Sequence, residues 1–319
     1  MASIRCIKPG LLTTVQDKGR QAYQSMGISA SGAMDQYAMR VGNLLVGNPD
    51  DAAVLEAAMI GPQIEINYDG CAAITGADFS PMLNGTSIDM WKAIYVRSGD
   101  RLSFGAPVSG CLTYIAFSGG LSVPSVLGSC ATFMRGGYGG VEGRMLREGD
   151  CIDVLPPRIP PERLIHKKLA QHYVVNYEED ITVRFIWGPQ EDRFTDEARE
   201  RFITSPYTVS MQSDRMGYRL KGERLMHRAS ADILSDYICP GAVQVPGDGQ
   251  PIVLMADCQM TGGYTKIAVV IDYDLPRVAQ CKPGSTIHFK PIDVKHAQDL
   301  IRKRETFFKI LRKGIERLI

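Results

Sequence analysis

No window of about 18 apolar residues free of charge occurs in the 319-residue chain, and Arg5, Lys8 and Asp17 interrupt the N-terminal stretch where a secretory leader would need an apolar run. The expectation is a cytoplasmic protein with no membrane segment. Charge of one sign is lacking too: 36 Lys and Arg stand against 35 Asp and Glu, for a formal charge of +1. That balance gives no broad field to gather nucleic acid or an anionic surface, so neither is expected as a partner. The eight cysteines (Cys6, Cys71, Cys111, Cys130, Cys151, Cys239, Cys258, Cys281) form no Cys-x-x-Cys pair and have no His at ligand spacing. They are read as reduced, mostly buried thiols, with no metal site. The five histidines stand alone, none in a glycine-rich loop, which weighs against a histidine general base. Also missing are the Gly-x-x-x-x-Gly-Lys-Ser/Thr phosphate loop, Gly-x-Gly-x-x-Gly, the Gly-x-Ser-x-Gly elbow and His-Glu-x-x-His. Any nucleotide must be held some other way.

What is present is an ordinary globular composition, 45% apolar and 22% charged, and a length that suggests two domains. A glycine turn entering an alternating strand occurs three times: Ser98-Gly99-Asp100 before Arg101–Phe104, Glu148-Gly149-Asp150 before Cys151–Val154, and Pro283-Gly284-Ser285 before Thr286–Phe289. Short β-branched or alternating runs fill much of the rest, including 63–66, 112–117, 181–187, 208–211, 252–256 and 267–271. A mainly β protein of barrels or sandwiches with a few helices is expected. Met34, Tyr37, Ala38, Val41, Leu44 and Leu45 carry helical spacing, stopped by Gly47-Asn48-Pro49. A short helix capped by Thr195 is expected to about residue 203. Asp293 can cap a C-terminal amphipathic helix with an apolar face of Val294, Ala297, Ile301, Phe308, Leu311, Ile315 and Leu318. The stretch Pro156-Pro157-Arg158-Ile159-Pro160-Pro161 reads as a stiff connector, giving domains at 1–178 and 179–292 and the terminal helix at 293–319.

Polar clusters on glycine turns are the candidate sites. Ser29–Asp35 leads into a helix, so its N–H groups can face an anion, although capping alone explains it equally well. Arg135–Arg144 places two arginines among five glycines, a fork for a carboxylate or phosphate or else a solvated hairpin tip. Asp214–Arg219 suits a turn with an ion pair as well as a site. Gln244–Pro251 is another polar turn. In Asp257–Lys266 an apolar strand ends in Asp, Gln, Thr, two glycines, Tyr and Lys, the arrangement a site on a rigid scaffold requires.

These phrases also carry a resemblance. Gly10–Asp17 with Gly19-Arg20, Ser31-Gly32-Ala33-Met34-Asp35, Asp214-Arg215-Met216-Gly217, Val245–Pro251 and Thr261-Gly262-Gly263-Tyr264 with Lys266 closely resemble, over about residues 3 to 292, the biotin-dependent carboxyltransferase family. This family, also called allophanate hydrolase subunit 2, includes the C subunit of 5-oxoprolinase and the Kip antagonist. The resemblance implies two cyclophilin-like β-barrel domains. It further implies the role of that C subunit in ATP-dependent opening of 5-oxoproline to L-glutamate, together with subunits A and B, the chain being inactive alone. ATP then belongs to the complex, and biotin use is doubtful for this chain, which has no carrier-type Met-Lys-Met. The alternatives are carboxyl transfer from carboxybiotin to urea or another amide, and a regulatory binder like the Kip antagonist. Opening a lactam calls for a cation for the substrate carboxylate, donors for phosphoryl oxygens and a carboxylate for the ring proton. Arg135, Arg144 or Arg215 can supply the first, Lys266 with the Gly262 and Gly263 amides the second, and Asp35 or Asp257 the third. Ser31, Gln259, Thr261 and Tyr264 are expected to line the same substrate cleft. Lys266 is the sharpest candidate, with pairing to Asp257 or Asp272 as its structural alternative.

Overall fold

The computed structural model describes residues 2–317 of the chain. Each of the three glycine phrases turns as expected: Gly99, Gly149 and Gly284 take φ values of 93°, 89° and 96°. Strands Arg101–Phe104, Cys151–Val154 and Thr286–Pro291 follow them. Glycine enters that left-handed region without the clash a Cβ would bring. The chain is mainly β, as expected, and divides into two compact units. One holds the described residues of 1–20, 31–177 and 307–319; the other holds 21–30 and 178–306.

In the first unit two antiparallel sheets share one core. The seven-stranded sheet is ordered Leu121–Ser122, Cys151–Val154, Ser3–Lys8, Gln63–Ile66, Arg101–Phe104, Pro81–Leu83, Thr86–Ser87. The five-stranded sheet runs Leu12–Gln16, Val54–Ala58, Ser109–Phe117, Gly70–Asp78, Ala93–Val96. Alternation aims Ile4, Ile64, Ile66, Leu102 and Ile152 from the first sheet and Val15, Leu55, Ile74, Ile115 and Phe117 from the second into that core. Each fully buried side chain of this kind contributes about 1.5–3 kcal/mol.

Helix α1, Gln36–Leu45, lies on the strands Gly70–Asp78 and Ser109–Phe117. Gly42 permits the approach, because a Cβ there would sit 2.9 Å from the Thr75 hydroxyl. That hydroxyl in turn donates to the Ala38 carbonyl at 2.7 Å. The proline connector packs down rather than standing free: Ile159 is buried, and it meets Gly47 just past the end of α1.

The second unit contains a closed barrel. Its strands run Asp180–Trp187, Lys266–Val270, Ala242–Gln244, Ile252–Leu254, Gly217–Gly222, Tyr207–Val209 and Thr286–Pro291, and the last closes on the first in parallel register. Helix α2, Asp196–Thr204, starts at Thr195, whose hydroxyl accepts the Ala198 N–H at 3.1 Å. It buries Phe202 against Phe289, with ring centroids 4.3 Å apart. A separate ribbon pairs Asp232–Tyr237 with Thr261–Tyr264.

Helix α3, Leu275–Ala279, is absent from the expected elements, since five residues are too few to show a period. Helix α4, Val294–Glu316, begins where Asp293 accepts the His296 N–H at 2.7 Å. Ala297, Phe308 and Ile315 on its expected apolar face are buried, whereas Val294 in the opening turn is 55% exposed. Leu318, assigned to the same face, lies outside the described residues. The distal part of α4 belongs to the first unit, where the Arg40 guanidinium lies 3.6 Å from the Phe308 ring centroid and Arg312 pairs with Asp50 at 2.8 Å.

Candidate functional site

The phrase Thr13–Arg20 builds scaffold. The Asp17 carboxylate accepts from the Gly19 N–H, the Ser129 hydroxyl and the Cys130 N–H at 2.8, 2.6 and 2.5 Å. Arg20, fully buried, donates to the Val126 and Ala131 carbonyls and lies 4.8 Å from the Tyr138 ring centroid. Together they clamp the loop that carries the next phrase, and they fix the need for Gly139: a Cβ there would fall 2.0 Å from the Ala131 oxygen. Within the clamped loop Arg135 is exposed. Arg144 binds Asp150 at 2.7 Å and Glu142 at 2.9 Å, so its fork braces its own turn.

The phrase Ser31–Asp35 enters α1 through a left-handed step, with φ of 52° at Ser31 and 94° at Gly32. Ser31 donates its hydroxyl to the Thr132 carbonyl at 3.1 Å. Asp35 is the N-cap of α1: one carboxylate oxygen accepts the Ala38 N–H at 2.9 Å and the other accepts the Tyr177 hydroxyl at 2.8 Å. Behind it Tyr114 accepts the Asp35 N–H at 2.8 Å and donates to Glu56 at 2.7 Å, while Glu56 also accepts the Met34 N–H. The result is a buried network in which Tyr114 ties Glu56 to the Asp35 backbone and Tyr177 holds the Asp35 carboxylate. Burial, with the charges of Glu56 and Asp35 next in importance, pushes the Tyr114 hydroxyl well above its ordinary value, so it stays neutral. Sequence reasoning missed Glu56, Tyr114 and Tyr177. The available signal was a glutamate inside the otherwise apolar strand Val54–Ala58.

In the second unit Lys266 is buried at the start of a barrel strand. Its ammonium bonds the Asp236 carboxylate at 2.5 Å and the Tyr237 carbonyl at 3.1 Å. The partner is Asp236 of the ribbon, in place of the Asp257 or Asp272 considered from sequence. The hydrogen bond from Lys266 holds the Asp236 carboxyl below its ordinary value, with the Tyr237 N–H adding to it. Gln190 completes the cluster by accepting the Lys266 backbone N–H at 3.2 Å and donating to Asp236 at 3.4 Å.

Asp257 faces Arg215 in a two-point pair at 2.9 and 3.2 Å, with both groups largely removed from water. Asp214 caps its own turn by accepting the Met216 and Gly217 N–H groups. Gln259, Thr261 and Tyr264 are exposed, and Gly262 and Gly263 are half-buried between them. Thus the second unit gathers Lys266 with the ribbon residues Thr261–Tyr264, while the Arg215–Asp257 pair is already satisfied internally. A fixed ammonium beside glycine backbone and exposed hydroxyls can bind an oxyanion or phosphoryl oxygen. The first unit's Asp35, fully buried with both carboxylate oxygens bonded, caps α1.

All eight cysteines are free thiols, and among the described residues no group of three His, Cys, Asp or Glu side chains is placed to hold a metal ion. No helix among them is long and apolar enough to cross a membrane.

Residues 26–291 match the family model described as carboxyltransferase domain, subdomain A and B, and the chain belongs to that family. Within it the chain is similar to the C subunit of 5-oxoprolinase from Escherichia coli, with 37% identity over 97% of both chains. It is also similar to the C subunit of 5-oxoprolinase from Haemophilus influenzae, with 35% identity over 95% of this chain and 96% of that one. The crystal structure of the Kluyveromyces lactis urea carboxylase superposes over 98% of this chain with a TM-score of 0.89 and 30% identity, but this chain spans only 29% of that larger one.

Proposed function

We propose that the chain is the C subunit of an ATP-dependent 5-oxoprolinase, acting with subunits A and B to open 5-oxoproline to L-glutamate in the cytoplasm. The observation that carries this reading is the near-complete, end-to-end similarity to two proteins that bear the name of that 5-oxoprolinase subunit. Lactams resist water because the nitrogen lone pair is delocalised, and phosphorylation of the lactam oxygen weakens that resistance. Lys266, with the Gly262 and Gly263 amides, is assigned to the developing negative charge. Gln259, Thr261 and Tyr264, exposed beside those glycines, are assigned to substrate contacts. Asp257, Arg215 and Arg144 are assigned to bracing, Asp257 and Arg215 through their two-point pair with each other and Arg144 through Asp150 and Glu142 of its own turn. ATP is assigned to the assembly, and the chain alone is inactive.

A second reading, carboxyl transfer from carboxybiotin to an amide, is favoured by the likeness to urea carboxylase. Avidin separates the two. Mixed with subunits A and B, the chain is expected to support ATP-dependent glutamate formation that avidin leaves unchanged. Bicarbonate-dependent, avidin-sensitive turnover of urea would establish the second reading instead.

A further inference from the structure

We infer that Gln244 reads the amide edge of the substrate in the barrel of the second unit, an inference that rests on the proposed lactam or amide chemistry. Gln244 ends the strand Ala242–Gln244 and is only 2% exposed. Its Nε2 is buried with no hydrogen-bond partner among the described residues. Leaving such a donor unpaired costs about 1–3 kcal/mol, a penalty that a bound acceptor removes. The residue sits at a functional place. In strand register Gln244 is the partner of Lys266, just after a bulge at Val243, and the ribbon pairs Gly262 with Asp236, which holds the Lys266 ammonium. Against it lies Gly262, where a Cβ would come within 2.7 Å of Gln244 Nε2. A side chain on the ribbon at that point would therefore press on the carboxamide.

A carboxamide presents a donor and an acceptor side by side. Its complement is another amide held cis, with C=O and N–H on one edge, as in a lactam ring or urea. Two parallel hydrogen bonds then form, Nε2–H to the substrate carbonyl and the substrate N–H to Oε1, beside the Lys266 ammonium. An ordinary trans peptide cannot present that edge, and a carboxylate lacks the donor. Ring opening destroys the edge, so the same contact that selects substrate is lost in the product.

The test compares 2-pyrrolidinone with N-methyl-2-pyrrolidinone, in which a methyl replaces the N–H, as ligands of the full-length chain measured by NMR titration. The parent lactam is expected to bind roughly tenfold tighter, the size of one net hydrogen bond, and Gln244→Met should bring the ratio close to one. In the reconstituted complex Gln244→Met should raise KM for 5-oxoproline by about tenfold or more while kcat changes less. Equal binding of the two lactams by the wild-type chain, or an unchanged KM in a folded Gln244→Met complex, would overturn the assignment. Discrimination between the lactams in a complex that does not turn over 5-oxoproline would leave Gln244 in place and reject the proposed reaction.

Discussion

Replacing Lys266 by methionine separates its charge from its bulk. The side chain is 4% exposed, and its ammonium is held by a half-exposed Asp236 and the Tyr237 carbonyl. Burying an ammonium costs several kcal/mol, and the pair only roughly restores that cost, so an unbranched apolar residue of similar length is expected to change stability by no more than about 1 kcal/mol. Asp236, left behind, is open enough to be re-solvated. Lys266→Ala is a poorer probe, because the loss of three methylenes at about 0.8 kcal/mol each, together with a cavity, costs about 2–3 kcal/mol. If the ammonium stabilises charge developing on the lactam or phosphoryl oxygen, Lys266→Met should lower kcat of the reconstituted complex by about a hundredfold to a thousandfold. Thermal unfolding of the chain reports the stability term, and glutamate formation with ATP and subunits A and B reports the rate. A folded Lys266→Met protein whose kcat stays within about threefold of wild type, less than 1 kcal/mol in barrier, would refute the role.

Gly139→Ala should destabilise the chain by about 3 kcal/mol or more, read by chemical denaturation, since φ is 76° and the new methyl would collide with the Ala131 carbonyl; a change under about 1 kcal/mol would contradict the clamped-loop geometry. Burial raises the Asp50 carboxyl, but Arg40 and Arg312 outweigh it and hold the group below its ordinary value of 3.8. The pairing therefore stabilises above that value and is lost as pH falls through the lowered one. The stability gap between wild type and Arg312→Ala, at most about 1 kcal/mol for so exposed an arginine, should be present at neutral pH and close in acid; a gap independent of pH would argue against it. Of the thiols, Cys151 is exposed, whereas burial pushes Cys71, Cys258 and Cys281 up to about 12. A thiol reagent under native conditions should modify Cys151 first and the five buried cysteines only after unfolding, as peptide mapping would show.

Local signals were the legible ones. Glycines that must take positive φ announced three strands, Thr195 and Asp293 announced helix starts, and the apolar spacing from Met34 announced α1. Helix α3 was not legible, because four of its five residues are buried by tertiary packing and no period has room to show. The barrel of the second unit closes by pairing strands about a hundred residues apart, which no local pattern records. The arginines show the same limit at the site. Arg215 looked available in sequence, yet its partner Asp257 lies 42 residues away, and Lys266 met Asp236, 30 residues upstream on the ribbon. Gln244 stood in a recognised polar turn, but nothing in the sequence distinguished it from Gln250. Its unpaired amide becomes visible only once the surrounding groups are placed.

An omission series tests the central claim most directly. Subunits A and B, 5-oxoproline and ATP are incubated with and without this chain, and glutamate and ADP are measured together. The account predicts equimolar glutamate and ADP only when the chain is present, with neither product from the chain alone. The same coupled yield without the chain, or glutamate and ADP formed by the chain on its own, would contradict it.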